Sequence, residues 1–408
     1  MREQKGYVFH RYGSWFVRYC DDVMQPDGTI QRKLVCKKLD VPYGGEHRTR
    51  KSVQPFVDDI LAPLNSGLLN PQSTMSVIDF VEKIYLPEYV AKQKRAATLK
   101  QYRDVWNNHL KARMGKLTLR TFRTVHGEQI LQQIAAQTGL GRSSLRHCKV
   151  FLSGVFKQAK RLGILDGINP MMDTSLPQAP EPEDTHAHNL AEIRSILSVL
   201  PEPARTVVLT AALTGLRKGE IRGLNWEDFD GKELAVKRSV WNTVVNKPKT
   251  RRSKAPIPVV TQLAEALEAH KLRMGPLAVG PIFQGGTGKP LNVDNLVNRV
   301  IKPALSRCTA CRKSEEEHKP EGHVFARDNS LPQWHGWHAF RRGLATNLHD
   351  LGVDDKTIQG ILRHSNIGLT QNIYIKSVNK SQVNAMDALS EQLGTCNDLA
   401  TPEGGKPN

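Results

Sequence analysis

The chain has 408 residues, with 58 Lys and Arg against 40 Asp and Glu, so its formal charge is +18 at pH 7. Its 39% hydrophobic and 24% charged residues exclude global disorder, and no apolar run approaches the ~18 residues of a membrane span. The length predicts two or three domains. Six scattered cysteines and a start without an apolar stretch predict a cytoplasmic protein. The excess of positive charge favours nucleic acid as the partner, with an anionic membrane surface as the second possibility.

Residues 1–74 have the pattern of a small β domain. Apolar and polar residues alternate on both sides of Asp27-Gly28, a dipeptide typical of hairpin turns. We expect about three strands that end near Val41, then a short helix from Val53 to Leu64. The alternative is a packing appendage without a binding role.

Residues 75–178 predict a helical domain. Ser76 with Asp79, and Thr98 with Gln101, are helix-start signals. A third helix contains Ile130 and Ile134. The fourth extends from Ser144 to Leu162 and buries Leu145, Phe151, Val155, Phe156 and Ala159.

This helical segment carries more than half of the net charge, since 17 basic residues face 7 acidic ones, a net of +10. One charged helical face is usually only solvated, but this concentration favours contact with DNA. The candidate DNA contacts are Arg103, Arg146, Lys149, Lys157, Lys160 and Arg161.

A Pro-rich acidic stretch from Pro170 to Asp184 marks a linker, and residues 179–408 form the third predicted domain. A hairpin is expected over Glu233–Val260, around a run of Lys and Arg. Helices are expected at Leu190–Leu200, Ala204–Leu213, Thr261–Met274, Val293–Arg307, His338–Asp350 and Asp355–Arg363. The predicted fold class is multidomain and mainly α, with a β-rich N-terminal domain, a helical domain and a mostly helical α+β domain.

Two short motifs in the third domain place chemical groups on one helical face. Arg217 and Glu220 are three residues apart, as are His338 and Arg341. Each motif alone is weak, because a surface ion pair or a chance match gives the same spacing. Apolar residues surround His338 and Arg341, so this pair is expected to be partly desolvated, where charge acts strongly.

Further along, Arg363-His364 precedes Tyr374, the last tyrosine in the chain. A lone tyrosine is most often a core residue, yet a phenol becomes a nucleophile when cations lower its pKa. Two Arg, two His, one Lys-rich hairpin and one Tyr together suit phosphoryl transfer on a phosphodiester.

These motifs resemble the phage-type integrases of the tyrosine recombinase family. The resemblance makes Arg217, His338, Arg341 and His364 catalytic, with Tyr374 as the nucleophile. Glu220 resembles the supporting carboxylate, and Lys249 the hairpin lysine, although Lys247 is close enough to compete. The first two segments resemble an arm-site-binding and a core-binding domain.

By this resemblance, Tyr374 attacks the scissile phosphate without metal or nucleotide and forms a 3′-phosphotyrosyl link. Lys249 protonates the leaving 5′-oxygen, His338 helps to deprotonate Tyr374, and the two arginines stabilise the transition state with His364. The implied partners are double-stranded DNA with attachment sites, a homotetramer with a packing tail helix at Ser381–Leu393, and directionality or DNA-bending proteins.

Two departures from the family pattern concern the last motif. The family usually has Gly before the later His, where this chain has Arg363. Tyr374 follows His364 by ten residues, one more than in many members.

Cys308-Thr-Ala-Cys311, followed by His318 and His323, is a separate motif. Two Cys and two His are ligands for tetrahedral Zn²⁺, so a structural zinc site is one expectation and an insertion without metal is the other.

Three alternative functions remain open from the sequence. They are a DNA-binding relative without catalysis, a type IB-like DNA relaxing enzyme, and a zinc nuclease built on His335, His338 and the cysteines.

Overall fold

The computed structural model describes residues 3–25, 27–66, 70–180, 185–247, 255–318, 322–364 and 368. The chain divides into two compact units, Met1–Glu183 and Asp184–Asn408. The boundary lies in the Pro-rich acidic stretch. The division into three domains, at residues 75 and 179, stays a prediction.

The first unit begins with a three-stranded antiparallel sheet of β1 (Tyr7–Arg11), β2 (Ser14–Met24) and β3 (Ile30–Pro42) in the order β1-β2-β3. The turn between β2 and β3 contains Gly28, with φ +88°, so the hairpin at Asp27-Gly28 is confirmed. Helix α1 (Gln54–Asn65) packs Val57 and Leu61 against Trp15 and Val17 of the sheet.

The rest of the first unit is helical and has its own core. The helices are α2 (successive segments Val77–Asp79, Phe80–Val90 with wider π-type turns, and Ala91–Gln93), α3 (Ala96–Val105 and Trp106–Leu110), α4 (Thr124–Thr138) and α5 (Arg142–Arg161). Short 3₁₀ turns lie at Lys51–Val53, Pro71–Thr74 and Lys111–Arg113. Phe151 and Phe156 of α5 are fully buried, which confirms the predicted apolar side of this helix.

The second unit is mostly helical with two small sheets. Its helices are α6 (Leu190–Val199), α7 (Ala204–Thr214), α8 (Lys218–Ile221), α9 (Thr261–Met274), α10 (Val293–Leu296, Val297–Ile301 and Lys302–Leu305), α11 (Trp337–Asp350) and α12 (Asp355–Leu362). Its strands are β4 (Glu233–Leu234), β5 (Ser239–Trp241), β6 (Val244–Asn246) and β7 (Ile257–Pro258). Short 3₁₀ turns lie at Trp226–Asp228 and Gly275–Leu277. Among the described residues, no helix is both long and apolar enough to cross a membrane.

Two local predictions are wrong. Thr98 does not start a helix, because α3 begins at Ala96 with Arg95 as its N-cap, so Thr98 lies inside the first turn. The expected hairpin over Glu233–Val260 is two separate strand pairs, β4 with β7 and β5 with β6. Asn242, with φ +51°, turns the chain directly after β5, so β5 pairs with the adjacent β6.

Candidate active site

Arg217 and Glu220 lie in the turn that follows α7. This helix ends at Gly215, whose φ is +59°. A Cβ at Gly215 would lie 2.9 Å from Leu362 Cδ2, so both the backbone and the packing require glycine. Arg217 then caps α8: its backbone N–H donates to Glu220 Oε2 at 3.1 Å and its guanidinium donates to Oε1 at 2.9 Å. The i, i+3 spacing therefore puts both side chains on one face, as predicted.

Glu220 has a second cationic partner that sequence reasoning missed. Arg363, whose side chain is 1% exposed, donates from Nη2 to Glu220 Oε2 at 2.8 Å. Arg363 ends α12 with φ +56° and ψ +40°, the left-handed conformation that normally favours glycine. Its presence at this glycine position was the only signal in the sequence, because Glu220 lies 143 residues earlier.

The charge of Glu220 is fixed by these two neighbours. Burial raises the pKa of Glu220, but the positive charges of Arg363 and Arg217 outweigh burial and hold the pKa below its usual value. The carboxylate is therefore ionised at neutral pH.

Arg341 connects the turn after α7 with the turn after α12. Its guanidinium is almost fully buried and donates from Nη1 to the carbonyl of Gly215 at 2.6 Å, from Nη2 to the carbonyl of Leu362, and from Nε to His364 Nε2 at 3.2 Å. Both carbonyls belong to helix C-termini, where a cation is stabilised. Burial and the charge of Arg217 lower the pKa of Arg341, but a guanidinium remains charged at neutral pH.

The two histidines are neutral near pH 7. Burial, with the charges of Arg341, Arg217 and Arg363, lowers the pKa of His364 to about 4. Because His364 Nε2 accepts from Arg341, its hydrogen is on Nδ1. His338 lies on the exposed side of α11, and partial desolvation followed by the charge of Arg341 lowers its pKa as well.

Three separate stretches of chain thus meet at one place, which contains Arg217, Glu220, His338, Arg341, Arg363 and His364. The charge of Arg217 perturbs the pKa values of Arg341, His338 and His364, so these groups lie within electrostatic range of one another. With both histidines neutral, three guanidiniums and one carboxylate give a local charge of +2. Such a site can bind an anion with oxygen acceptors.

Two predicted catalytic residues, Lys249 and Tyr374, lie outside the described residues, as does the predicted tail helix at Ser381–Leu393. Lys247 is described and exposed, just after β6. The chain at strand β5, a few residues before Lys247, lies close to α8, which Arg217 caps, because glycines in and after α8 let it approach. A Cβ on Gly219 would lie 2.6 Å from Ser239 Oγ, and one on Gly223 would lie 2.7 Å from the Arg238 carbonyl.

The candidate DNA contacts lie on two helices of the first unit. Five of them are exposed, namely Arg103, Arg146, Lys157, Lys160 and Arg161. Lys149 is half-buried, and its ammonium donates to the carbonyl of Thr174.

The candidate metal ligands Cys308, Cys311, His318 and His323 lie together, with their ligand atoms within 4.8 Å of one another. This group does not include His335 or His338, so it does not form the nuclease site considered above. His335 instead stacks on His186, with ring centroids 4.0 Å apart. A group that the sequence did not reveal contains His186, His188 and Glu192.

Comparison with curated proteins finds relatives over most of the chain. A tyrosine recombinase XerC-like protein of Caldanaerobacter subterraneus subsp. tengcongensis is 25% identical over 393 residues, which cover 88% of this chain and 92% of the relative. An integrase of Streptomyces ambofaciens is 23% identical over 357 residues, covering 82% and 84%. No family model matches the chain.

Solved structures show the same fold. The Tn1549 transposon integrase in complex with transposon right end DNA has a TM-score of 0.58 and 20% identity, over 78% of this chain and 99% of that one. A lambda integrase tetramer bound to a Holliday junction has a TM-score of 0.52 and 18% identity, over 91% and 96%. In sequence this chain is similar to tyrosine recombinases and integrases, and in fold it is similar to integrases of the phage and transposon types.

Proposed function

We propose that this chain carries out site-specific recombination of DNA, as in integration or excision of a mobile element. Tyr374 cleaves one strand and forms a 3′-phosphotyrosyl link, and a second exchange resolves the four-way junction. The relatives named recombinase and integrase support the reaction class. The cluster of charged groups around Glu220 supports the chemistry.

The observation that carries this proposal is the fixed geometry of Arg341 beside Arg217. Three of the five N–H groups of Arg341 are used by Gly215, Leu362 and His364, and no described acceptor takes the other two. The side chain of Arg217 is 37% exposed, although its Nη1 is held by Glu220. A guanidinium held in place before the substrate arrives stabilises transition-state charge without reorganisation.

The local charge of +2 at the site suits a phosphodiester substrate. A phosphodiester carries one negative charge, and its pentavalent transition state spreads more charge onto the non-bridging oxygens. We assign those oxygens to Arg217 and Arg341, with the Nδ1–H of His364 as a further donor. Glu220 and Arg363 orient Arg217 and keep the local charge at +2.

Proton transfer is assigned to His338 and Lys249. The lowered pKa of His338 keeps its imidazole neutral at pH 7, so it can accept the phenolic proton of Tyr374. Lys249 is assigned as the acid that protonates the 5′-oxygen, with Lys247 as its competitor. No metal takes part in these steps.

The proposed partner is double-stranded DNA with specific attachment sites, held as a synaptic complex by four copies of the chain. Directionality or DNA-bending proteins complete the assembly. The exposed cations of α5 support a backbone contact in the first unit.

The test starts from a duplex selected for binding from a random-sequence pool. A nick near the cleavage site lets a short fragment diffuse away after cleavage, which traps the covalent complex. We expect a denaturation-resistant protein–DNA complex with the unmodified chain and none with Tyr374→Phe, while both bind the duplex equally. Arg341→Lys should reduce trapping at least 100-fold, because a lysine cannot hold both carbonyls and a phosphate (~2.7 kcal/mol or more).

Arg205→Lys, an exposed substitution on α7, is the matched control and should leave trapping unchanged. Trapping by Tyr374→Phe would refute the proposal. Relaxation of supercoiled DNA without any exchange between two duplexes would replace recombination with the type IB-like alternative.

A further inference from the structure

The described residues of the segment between α10 and α11 form no apolar core. Among its described residues from Arg307 to Leu331, only Cys308, Ser314 and Leu331 are buried. Val324 is 88% exposed. Segments with so little apolar burial commonly need a metal or disulfides to hold one conformation.

Two Cys–His pairs lie at the centre of this segment. Cys308 Sγ is 3.3 Å from His323 Nε2, and Cys311 Sγ is 3.4 Å from His318 Nδ1. The two imidazole centroids are 4.7 Å apart, and all four ligand atoms lie within 4.8 Å of one another. A zinc tetrahedron with arms of about 2.0–2.3 Å has edges of roughly 3.3–3.8 Å, so two edges already fit and the longest needs about 1 Å of contraction.

The backbone around the cysteines forms a tight turn. The N–H of Arg312 donates to the Cys308 carbonyl at 3.0 Å, and the N–H of Cys308 donates to the Lys313 carbonyl at 2.8 Å. Arg312 directly follows the second cysteine with φ +62°, which turns the chain back. This turn puts both sulfurs on the same side.

Groups around the ligands prepare them for a metal. The Nε2–H of His318 donates to the His323 carbonyl at 3.1 Å, which leaves Nδ1 as the basic nitrogen. Both cysteines are free thiols.

We propose that Cys308, Cys311, His318 and His323 bind one structural Zn²⁺. Four protein ligands close the coordination sphere, which is typical of a structural rather than a catalytic site. Two thiolates neutralise the dication, and their softness with two imidazoles in a tetrahedron selects zinc over harder divalent ions.

The metal would stabilise the contacts between the two ends of the segment, near Arg307 and near Asp328. Thr309 donates its N–H to the Ala326 carbonyl at 2.8 Å, and Asp328 donates to the Arg307 carbonyl at 2.9 Å. The Arg327 side chain reaches the carbonyls of Leu305, at the end of α10, and Leu331. The segment leads into α11, so the zinc stabilises the approach to this helix whether or not the proposed chemistry is correct.

The first experiment measures zinc in the full chain purified from cells and passed through metal-free buffer. We expect one zinc per chain by elemental analysis, and less than one tenth of that in Cys308→Ser and in Cys311→Ser. Cys36→Ser, an exposed cysteine on β3, is the matched control and should retain one zinc. His186→Gln tests the other histidine group and should also retain it.

The second experiment uses only the unsubstituted chain, so it does not depend on the variants folding. X-ray absorption at the zinc edge should show two sulfurs at about 2.3 Å and two nitrogens at about 2.0–2.1 Å. A thiol-specific mercurial should release the zinc in step with loss of two thiols. His318→Cys, which supplies a fourth ligand of another kind, should keep one zinc.

Several results would overturn the site. They are a purified chain with no zinc, a Cys308–Cys311 disulfide in its place, a metal shell without sulfur, or zinc that survives both serine substitutions. Zinc lost only in His186→Gln would likewise refute it.

Discussion

The buried contact between Arg363 and Glu220 gives the sharpest stability prediction. The substitution is Arg363→Gly, which removes the guanidinium and restores the residue that the left-handed backbone favours. Breaking a buried ion pair from one side costs about 3–5 kcal/mol, because the remaining charge is left without its partner. Glycine also removes the strain of the left-handed backbone, which raises the free energy of unfolding by about 1 kcal/mol. The expected loss in unfolding free energy is therefore about 2–4 kcal/mol.

Arg363→Ala separates the two contributions. It loses the same ion pair but keeps the backbone strain, so it should be less stable than Arg363→Gly by about 1 kcal/mol. Denaturant unfolding at pH 7 measures both differences. In the double variant with Glu220→Gln, the cost should be smaller than the sum of the two single costs, because no charge is left buried alone.

The pH dependence provides an independent check. In the unsubstituted chain the pKa of Glu220 is lowered, so its stabilising contribution is present above the unfolded pKa and is lost as the pH falls through the folded pKa. Without Arg363, only the positive charge of Arg217 counteracts the effect of burial on the pKa of Glu220, so this pKa rises. The stability difference between the two chains should therefore narrow as the pH is lowered from 7 toward about 4. A glycine variant as stable as the parent, or less stable than the alanine variant, would refute this reasoning.

Three further predictions concern the site and the DNA contact. Gly215→Ala should lower the unfolding free energy by about 2–4 kcal/mol in denaturant titration, because a Cβ adds left-handed strain and a 2.9 Å contact with Leu362. The free energy of unfolding should fall by up to roughly 3 kcal/mol as the pH is lowered from 6.5 to about 4. Buried His364 has a pKa of about 4, so in this range it binds a proton in the unfolded chain and not in the folded one. In His364→Asn, the free energy of unfolding should depend less on pH over this range. Replacing Lys157, Lys160 and Arg161 together with Ala should reduce the slope of log affinity against log salt by about 2–3.

Each of these has a matched control. Gly286→Ala, where a Cβ meets nothing within 4 Å, should leave stability almost unchanged. His10→Asn, at an exposed residue, should not change how the free energy of unfolding depends on pH between 6.5 and about 4. Replacing the exposed Arg194 and Arg205 with Ala should leave the salt slope unaltered. If a control changed the measured quantity as much as its test variant does, the physical reason given for that prediction would be refuted.

Local signals in the sequence predicted most elements of the fold. Asp27-Gly28 and the Ser76 cap depend on contacts within a few residues, and Ser76 Oγ does accept from the Asp79 N–H at 2.9 Å. Helix α9 has the predicted bounds of Thr261–Met274. The predicted helix start at Thr98 was wrong, because the same capping pattern of residues can occur inside a helix as well as at its start.

The candidate site was only partly predictable. The i, i+3 spacing predicted the Arg217–Glu220 face, and the apolar surroundings predicted that Arg341 is desolvated. The pairing of Glu220 with Arg363 depends on two turns 143 residues apart, which no local pattern encodes. Lys149 was grouped with the DNA contacts because a helical pattern does not reveal that the Thr174 carbonyl is within its reach.

The most direct test of the central claim is to identify the residue that is covalently joined to DNA. The trapped complex is digested with protease and nuclease, and the modified peptide is sequenced by mass spectrometry. We predict a single adduct, on Tyr374, joined to the 3′-phosphate at the cleavage site. An adduct on any other residue, a 5′-phosphate link, or no adduct on a DNA that the chain binds and recombines would contradict it.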